Sequence, residues 1–251
     1  MSFVRRAALP DCAEIVLIGE KYAEILDKPL KKLCISVKYI PNNPNVDPRL
    51  SGHADLSILH AGGERLYFAP YLRGTALHRE LSGLGADIRI ADIGQSALYP
   101  NDAQLNLCAV GNQLLCNRQT AAQEIVRYFT IDCGASVIYV KQGYTRCSIC
   151  PAGERSIITA DRGIAAAAKN AGMDVLLISP GHIVLDGFDT GFIGGASFCI
   201  AKDKIAFTGT LDRHPDKERI IRFLADRSIE PVFLTDRPIF DIGSAISLTE
   251  R

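Results

Sequence analysis

The stretch "HADLSILHAGGERLYFAP", residues 53–70, contains two apolar runs separated by a Gly-Gly turn. Runs of this length, rich in Leu, Ile, Tyr and Phe and broken by a tight turn, predict a strand hairpin. A helix-like "ALHRELSGLG" (76–85) and a third strand, "ADIRIADI" (86–93), follow. The stretch decides the fold because the chain repeats it. The pattern returns as "AQLNLCAVGNQLLCN" (103–117), "AAQEIVRYFTIDCG" (121–134) and "SVIYVK" (136–141). It returns again as "YTRCSICPAGERSIIT" (144–159), "RGIAAAAKNAG" (162–172) and "DVLLIS" (174–179). The fourth copy is "GFIGGASFCIAKDKIAFTG" (191–209), "DKERIIRFLADRS" (216–228) and "EPVFLT" (230–235).

A fifth copy is split between the two ends of the chain. The C-terminus supplies "FDIGSAISL" (240–248), and the N-terminus supplies "EIVLIG" (14–19), "EKYAEILDKPLKKL" (20–33) and "CISVKYIP" (34–41). First strands are expected to begin near His53, Asn101, Tyr144, Phe192 and Asp241, between 43 and 49 residues apart. One such unit leaves a sheet face and a helix stripe uncovered, and five around an axis bury both. Pairing of the last strand with the first closes the ring and removes a sheet edge. The expectation is therefore α/β: a single domain, a five-unit pseudo-symmetric α/β-propeller. Its units cover residues 53–100, 101–143, 144–187, 188–238, and 239–251 with 1–41. Residues 42–52, within the proline-rich "PNNPNVDPRLSG", form a surface connection that is either a lid over the axis or a plain linker.

Composition narrows the function. The 251 residues are 47% hydrophobic and 22% charged, with 28 basic and 28 acidic side chains. This is an ordinary globular balance without the basic excess of a nucleic-acid binder. No run is apolar enough for a membrane span and no secretory leader is visible, so a cytoplasmic setting is expected. Eight cysteines in such a setting read as thiols, most of them small core residues.

The polar residues of the first strands are the candidates for chemistry, because one of their alternating faces looks into the axis. They include His53, Asp55, Asn101, Asp102, Asn106, Arg146, Cys147, Asp189 and Asp241. The five-unit plan resembles the pentein fold of guanidine-modifying enzymes: arginine deiminases, amidinotransferases and dimethylarginine dimethylaminohydrolases. "SGHADLSIL" (51–59) resembles their His-x-Asp strand, and "NDAQLNLCAVGNQLLCN" (101–117) the unit after it. "GYTRCSIC" (143–150) resembles the nucleophile strand and places Cys147 at the nucleophile. Two further units follow the cysteine, so the chain resembles a circular permutation of that family. In "FDTGFIGGASF" (188–198) Asp189 matches a leading Asp, while Gly194 and Gly195 replace an acidic pair. In "IFDIGSAISL" (239–248) Asp241 stands at a Glu position and Ser244 near an Asp.

The resemblance implies a Cys-dependent hydrolase or amidinotransferase-like enzyme acting on a C–N bond of a small guanidine or amidine, without cofactor or metal. Cys147 would attack, His53 would be general acid and base, and Asp55 would orient it or bind substrate. Asp189, Asp241, Asn106 and Arg146 would make the remaining substrate contacts. The two glycines are expected to leave space and remove charge, which favours an alternative: a propeller that binds a small molecule or protein and does not turn it over. The spacing Cys147-x-x-Cys150 also admits a metal clip or a redox pair, but no second Cys-x-x-Cys completes a zinc site. On a strand the two cysteines face opposite sides. His60 and His78 are expected at the surface. The partner is a small molecule, with neither nucleic acid nor membrane; substrate and oligomeric state are not legible.

Overall fold

The computed structural model describes residues 2–251. Five small sheets follow one another, each with an inner, a middle and an outer strand. The first holds Ile58–His60, Arg65–Phe68 and Asp87–Ile90; the second Cys108–Val110, Gln113–Cys116 and Ser136–Tyr139. The third holds Cys150–Pro151, Ser156–Thr159 and Asp174–Leu177; the fourth Ser197–Ala201, Lys204–Phe207 and Glu230–Phe233. In each, the inner pair is antiparallel, as a hairpin requires, and the outer pair parallel, as a helical crossover requires.

The fifth sheet joins the chain ends. Ile246–Glu250 pairs antiparallel with Ala13–Gly19, which pairs parallel with Ser36–Ile40. The clasp expected from the split repeat is thus present. A strand absent from the sequence reading, Ser2–Phe3, adds to the free edge of Ile246–Glu250.

One helix crosses each unit, and each carries the same buried i, i+4 pair. The pairs are Leu26/Leu30, Leu77/Leu81, Ile125/Phe129, Ile164/Ala168 and Ile220/Leu224. That spacing puts both side chains on one face of the helix, against the sheet. Burying a leucine or isoleucine this way is worth about 1.5–3 kcal/mol over leaving it in water. Side-chain caps start two of these helices: Thr75 accepts from the His78 amide and Asp161 from the Ile164 amide.

Five apolar clusters lie between the sheets, and their membership shows how the units are arranged. One joins units one and two, the next two and three, then three and four, four and five, and finally five and one. A chain of neighbours that returns to its start is a ring. Among the described residues no helix is long and apolar enough to cross a membrane.

The inner strands begin later than the repeats suggest. The segments at 54–56, 101–103 and 145–148 are single helical turns that precede the strands. The polar residues read as strand residues therefore sit on turns at one end of the ring. Room near the axis is the physical reason: five inner strands crowd it, whereas a turn can carry polar side chains over its end.

Candidate active site

Hydrogen bonds between these turns hold the site. The Asp55 amide donates to the Gly243 carbonyl at 3.1 Å, joining units one and five. The amides of Ile242 and Ser244 donate to Gly195, and the Gly195 amide donates to the Cys147 carbonyl at 2.8 Å. Asn106 Oδ1 accepts from the amides of Arg146 and Cys147 at 2.7 and 3.1 Å. Units five, four, three and two are thus tied in order, and the bond between Cys147 and Asp55 returns to unit one.

Cys147 Sγ donates to Asp55 Oδ2 at 2.8 Å and accepts from Asn106 Nδ2 at 3.4 Å. A His53 ring nitrogen, an Asp55 oxygen and the Cys147 sulfur all lie within 4.8 Å of one another. The three residues are 3%, 4% and 2% exposed, so the set is sealed from bulk water. His53 Nε2 and Asp55 Oδ1 are buried without a partner among the described residues. Buried polar atoms are nearly always satisfied, and exceptions concentrate where a ligand or water completes them.

Burial sets the charges. It pushes the Cys147 thiol well above its usual range, and the carboxyls of Asp55 and Asp241 add to the effect. Burial lifts Asp55 to about 7 and Asp241 to about 6. For Asp55, bonds from Cys147 and Asn106 and the charge of Arg146 oppose the rise, while Asp241 adds to it. Burial also drops His53 to about 3, with the Lys21 charge contributing. Near neutral pH the site holds a protonated thiol and a neutral imidazole beside an Asp55 carboxyl close to its titration midpoint.

The sequence-derived candidates separate into groups. Cys147, His53, Asp55 and Asn106 come together, and Asn106 holds the Cys147 turn instead of facing a ligand with both its polar atoms. Asp241 is buried beside them, its carboxylate accepting from the amides of Phe192 and Gly243, both at 2.8 Å. Asp189 is corrected: it lies in an exposed loop, away from the buried set. Arg146 is corrected as well. Its guanidinium turns to the carbonyls of Ile149 and Gly194 and to Ser244 Oγ (2.6 Å), where it offsets the buried carboxylates. Gly194 and Gly195 do not leave space. A Cβ on Gly195 would stand 2.0 Å from Asp241 Oδ1, and one on Gly194 2.1 Å from the Ile149 carbonyl. Glycine is required there because Asp241 already fills the volume at Gly195, and the backbone of Ile149 and Arg146 the volume at Gly194. Gly243, at φ +68°, likewise lets its turn pass against the His53 side chain.

Cys150 is separated from Cys147, but by a helical turn and not by strand alternation. It sits on the inner strand of unit three, in the core shared with unit four. His60 is buried, with its two nitrogens facing the carbonyls of Ser247 and Gly63. Among the described residues, His53, Asp55 and Cys147 are the one compact set able to hold a metal ion. A metal would need the thiol and carboxyl to give up the proton they share, which burial opposes.

The 42–52 segment packs against the turns that carry the site. Val46 and Leu50 pack with Leu56, Tyr144 and Leu185. Arg49 fastens the segment to the loop opposite, through the Gly187 carbonyl at 2.7 Å and the Phe188 ring at 4.1 Å. The sequence reading missed Tyr144, which donates to Asp102 Oδ2 at 2.5 Å and stacks near Tyr99 and Phe192. Its place directly before the Thr145–Ser148 turn was the available signal. It also missed Tyr22, whose hydroxyl is raised by burial and then by the charges of Asp241, Asp186 and Asp55. Tyr22 gave no local signal, since its partners are far away in sequence.

Several solved structures share the architecture. SxtG, an amidinotransferase from Microseira wollei in the saxitoxin biosynthetic pathway, aligns with TM-score 0.59 and 11% identity, over 99% of this chain and 97% of its own. Inosamine-phosphate amidinotransferase from Streptomyces griseus aligns with TM-score 0.58 and 12% identity, over 100% and 97%. DDAH from Pseudomonas aeruginosa aligns with TM-score 0.52 and 9% identity, over 88% and 92%. At these identities the likeness establishes the pentein fold and leaves the activity to the site. No curated protein matches the chain. A family profile covers residues 17–246, and the chain belongs to that family, the family of unknown function DUF6873.

Proposed function

We propose that the protein is a Cys-dependent hydrolase or amidinotransferase-like enzyme acting on a C–N bond of a small guanidine or amidine. The observation that carries this reading is the sealed constellation of Cys147, Asp55 and His53, with sulfur and carboxylate 2.8 Å apart. The similar structures named as amidinotransferases support the reaction class.

The resting thiol is a poor nucleophile, because burial and two carboxyls keep its proton on. A cationic amidine between Asp55 and Asp241 reverses this balance. Its charge offsets both carboxylates and lowers the cost of a thiolate, so the substrate promotes ionisation of its own nucleophile. Asp55 takes the thiol proton through the bond already present. The thiolate forms a C–S bond to the amidine carbon, the C–N bond breaks, and His53 relays a proton to the departing amine. Water or a second amine then displaces the sulfur. As the amidine binds, before the proton moves, Asp55 and Asp241 supply the paired charge that Gly194 and Gly195 do not, and Asp189 has no part in binding.

Chloroacetamidine tests the reading. It should alkylate Cys147 selectively, as read by peptide mass spectrometry, and a neutral chloroacetamide of the same size should be slower. Selective modification of another cysteine, with Cys147 untouched, refutes it. The alternative, a ring that binds small amidines without turnover, is motivated by a thiol that is protonated at rest. A Cys147→Ala variant that keeps ligand-induced thermal stabilisation, while wild type shows no turnover of any bound amidine, would favour that alternative.

A further inference from the structure

Asp55 faces two ways. Its Oδ2 accepts from the Cys147 thiol at 2.8 Å, and its Oδ1 is buried with no partner among the described residues. Asp55 also lines a cavity of about 50 Å³ along the ring axis, beyond the catalytic turns. Ser244, Ser247, Arg146 and His60 give this cavity polar walls. The other side of the site is more apolar, because Val46 and Leu50 of the 42–52 segment pack there with Leu56, Tyr144 and Leu185.

An unsatisfied buried carboxylate oxygen costs several kcal/mol in an apolar setting, so something polar must meet it. A cavity that offers about 10–15 Å³ to a water-sized sphere holds one water if it supplies two to four polar partners. The axial cavity exceeds that volume, and Asp55, Ser244 and Ser247 all face it. The ionisable groups around Asp55 are Cys147, His53, Asp241 and Arg146.

We propose that the axial cavity is the water store of the site, delivering the hydrolytic water to a Cys147 adduct past Asp55, from the side opposite the 42–52 lid. This rests on the amidine chemistry proposed above. In the step, water adds to the carbon of the S-linked amidinium and the C–S bond breaks. The electron pair leaves with sulfur, and the water oxygen becomes the oxygen of the urea product. One water proton returns to the thiol and the other leaves through Asp55 or His53. The lid can then stay shut through the second half of the reaction, which keeps outside amines from competing.

S-methylisothiourea is the probe, since it donates the smallest amidine to a thiol and releases methanethiol. Ala109→Leu and Ala7→Leu narrow the cavity from two lining residues outside the Cys147, Asp55 and His53 set. The adduct should form at the wild-type rate in both and decay about tenfold more slowly. Ala109→Ser, which keeps the cavity open and polar, should decay as wild type does. Unchanged decay in the leucine variants, or formation falling in step with decay, overturns the proposal. A high-resolution crystal structure of the unmodified protein gives an independent reading. Ordered water on Asp55 Oδ1 is expected, and a dry cavity overturns the proposal whatever the reagent does. A reagent that leaves Cys147 unmodified speaks against the amidine chemistry, and the crystallographic water still decides the hydration of the cavity.

Discussion

Replacing Asp55 with asparagine keeps the side-chain shape and an oxygen to accept from Cys147, and removes the charge. Asp55 is held at about 7 in the fold against 3.8 for an ordinary aspartate. That rise of roughly 3 pH units corresponds to about 4 kcal/mol of destabilisation once the group is fully ionised in both states. The sign follows from proton binding. Between about 3.8 and about 7 the folded protein holds a proton that the unfolded chain has lost, so stability falls as pH rises through that window. At about pH 5 the wild type has lost roughly 1–2 kcal/mol of this, and at about pH 8 nearly all of it. The stability advantage of Asp55→Asn should therefore widen by about 2–3 kcal/mol between those pH values. Comparing variant with wild type cancels the titrating groups that do not interact with Asp55. Urea unfolding followed by circular dichroism reads the effect as a difference in midpoint near 1 M, at a slope of about 2–3 kcal/mol/M. A gap that stays constant or narrows with pH would refute the claim that burial raises the Asp55 carboxyl to near neutral pH. The variant should also lose chloroacetamidine labelling of Cys147, since no carboxylate remains to take the thiol proton. A group that weakens the fold yet is needed for reaction is the pattern expected of a functional site.

Two further substitutions test the architecture. Gly195→Ala places a methyl 2.0 Å from Asp241 Oδ1, so it should destabilise the protein by about 2–3 kcal/mol and displace Asp241; a melting temperature within a degree of wild type would contradict the packing described. Arg49→Ala removes the bond to the Gly187 carbonyl and the stacking on Phe188. Contacts of this kind are worth about 1–2 kcal/mol, so iodoacetamide should label Cys147 roughly tenfold faster. No acceleration would mean that the 42–52 segment does not gate the thiol.

The repeat made the architecture legible because each unit carries its own periodicity. Leu77 and Leu81 announce a helix face, the Gly62-Gly63 turn a hairpin, and the broken fifth copy the clasp between Ile246–Glu250 and Ala13–Gly19. Cys147, His53, Asp55 and Asp241 were legible through their equivalent places in successive units, and the fold carries equivalent places to one end of the ring. Asp189 misled because a matching neighbour in sequence says nothing about whether a loop turns its side chain outward. Gly194 and Gly195 misled for a related reason. A missing side chain reads as empty space until the groups that fill it are known: Asp241 at Gly195, and the backbone of Ile149 and Arg146 at Gly194.

By itself, the sequence determined the unit, its number, the closure of the ring and the polar residue types at one of its ends. These follow from local periodicity and from spacing along the chain. Only the tertiary structure decided that His53, Asp55 and Cys147 meet within 4.8 Å, and that Arg146 serves carbonyls and Ser244. Only the tertiary structure decided that Asp55 bonds the Cys147 thiol and also lines the cavity beside Ser244 and Ser247. Those facts depend on contacts between units far apart in sequence, and on the loss of water when the ring closes. Burial is a property of the whole ring, and burial sets the charge state of each of these groups.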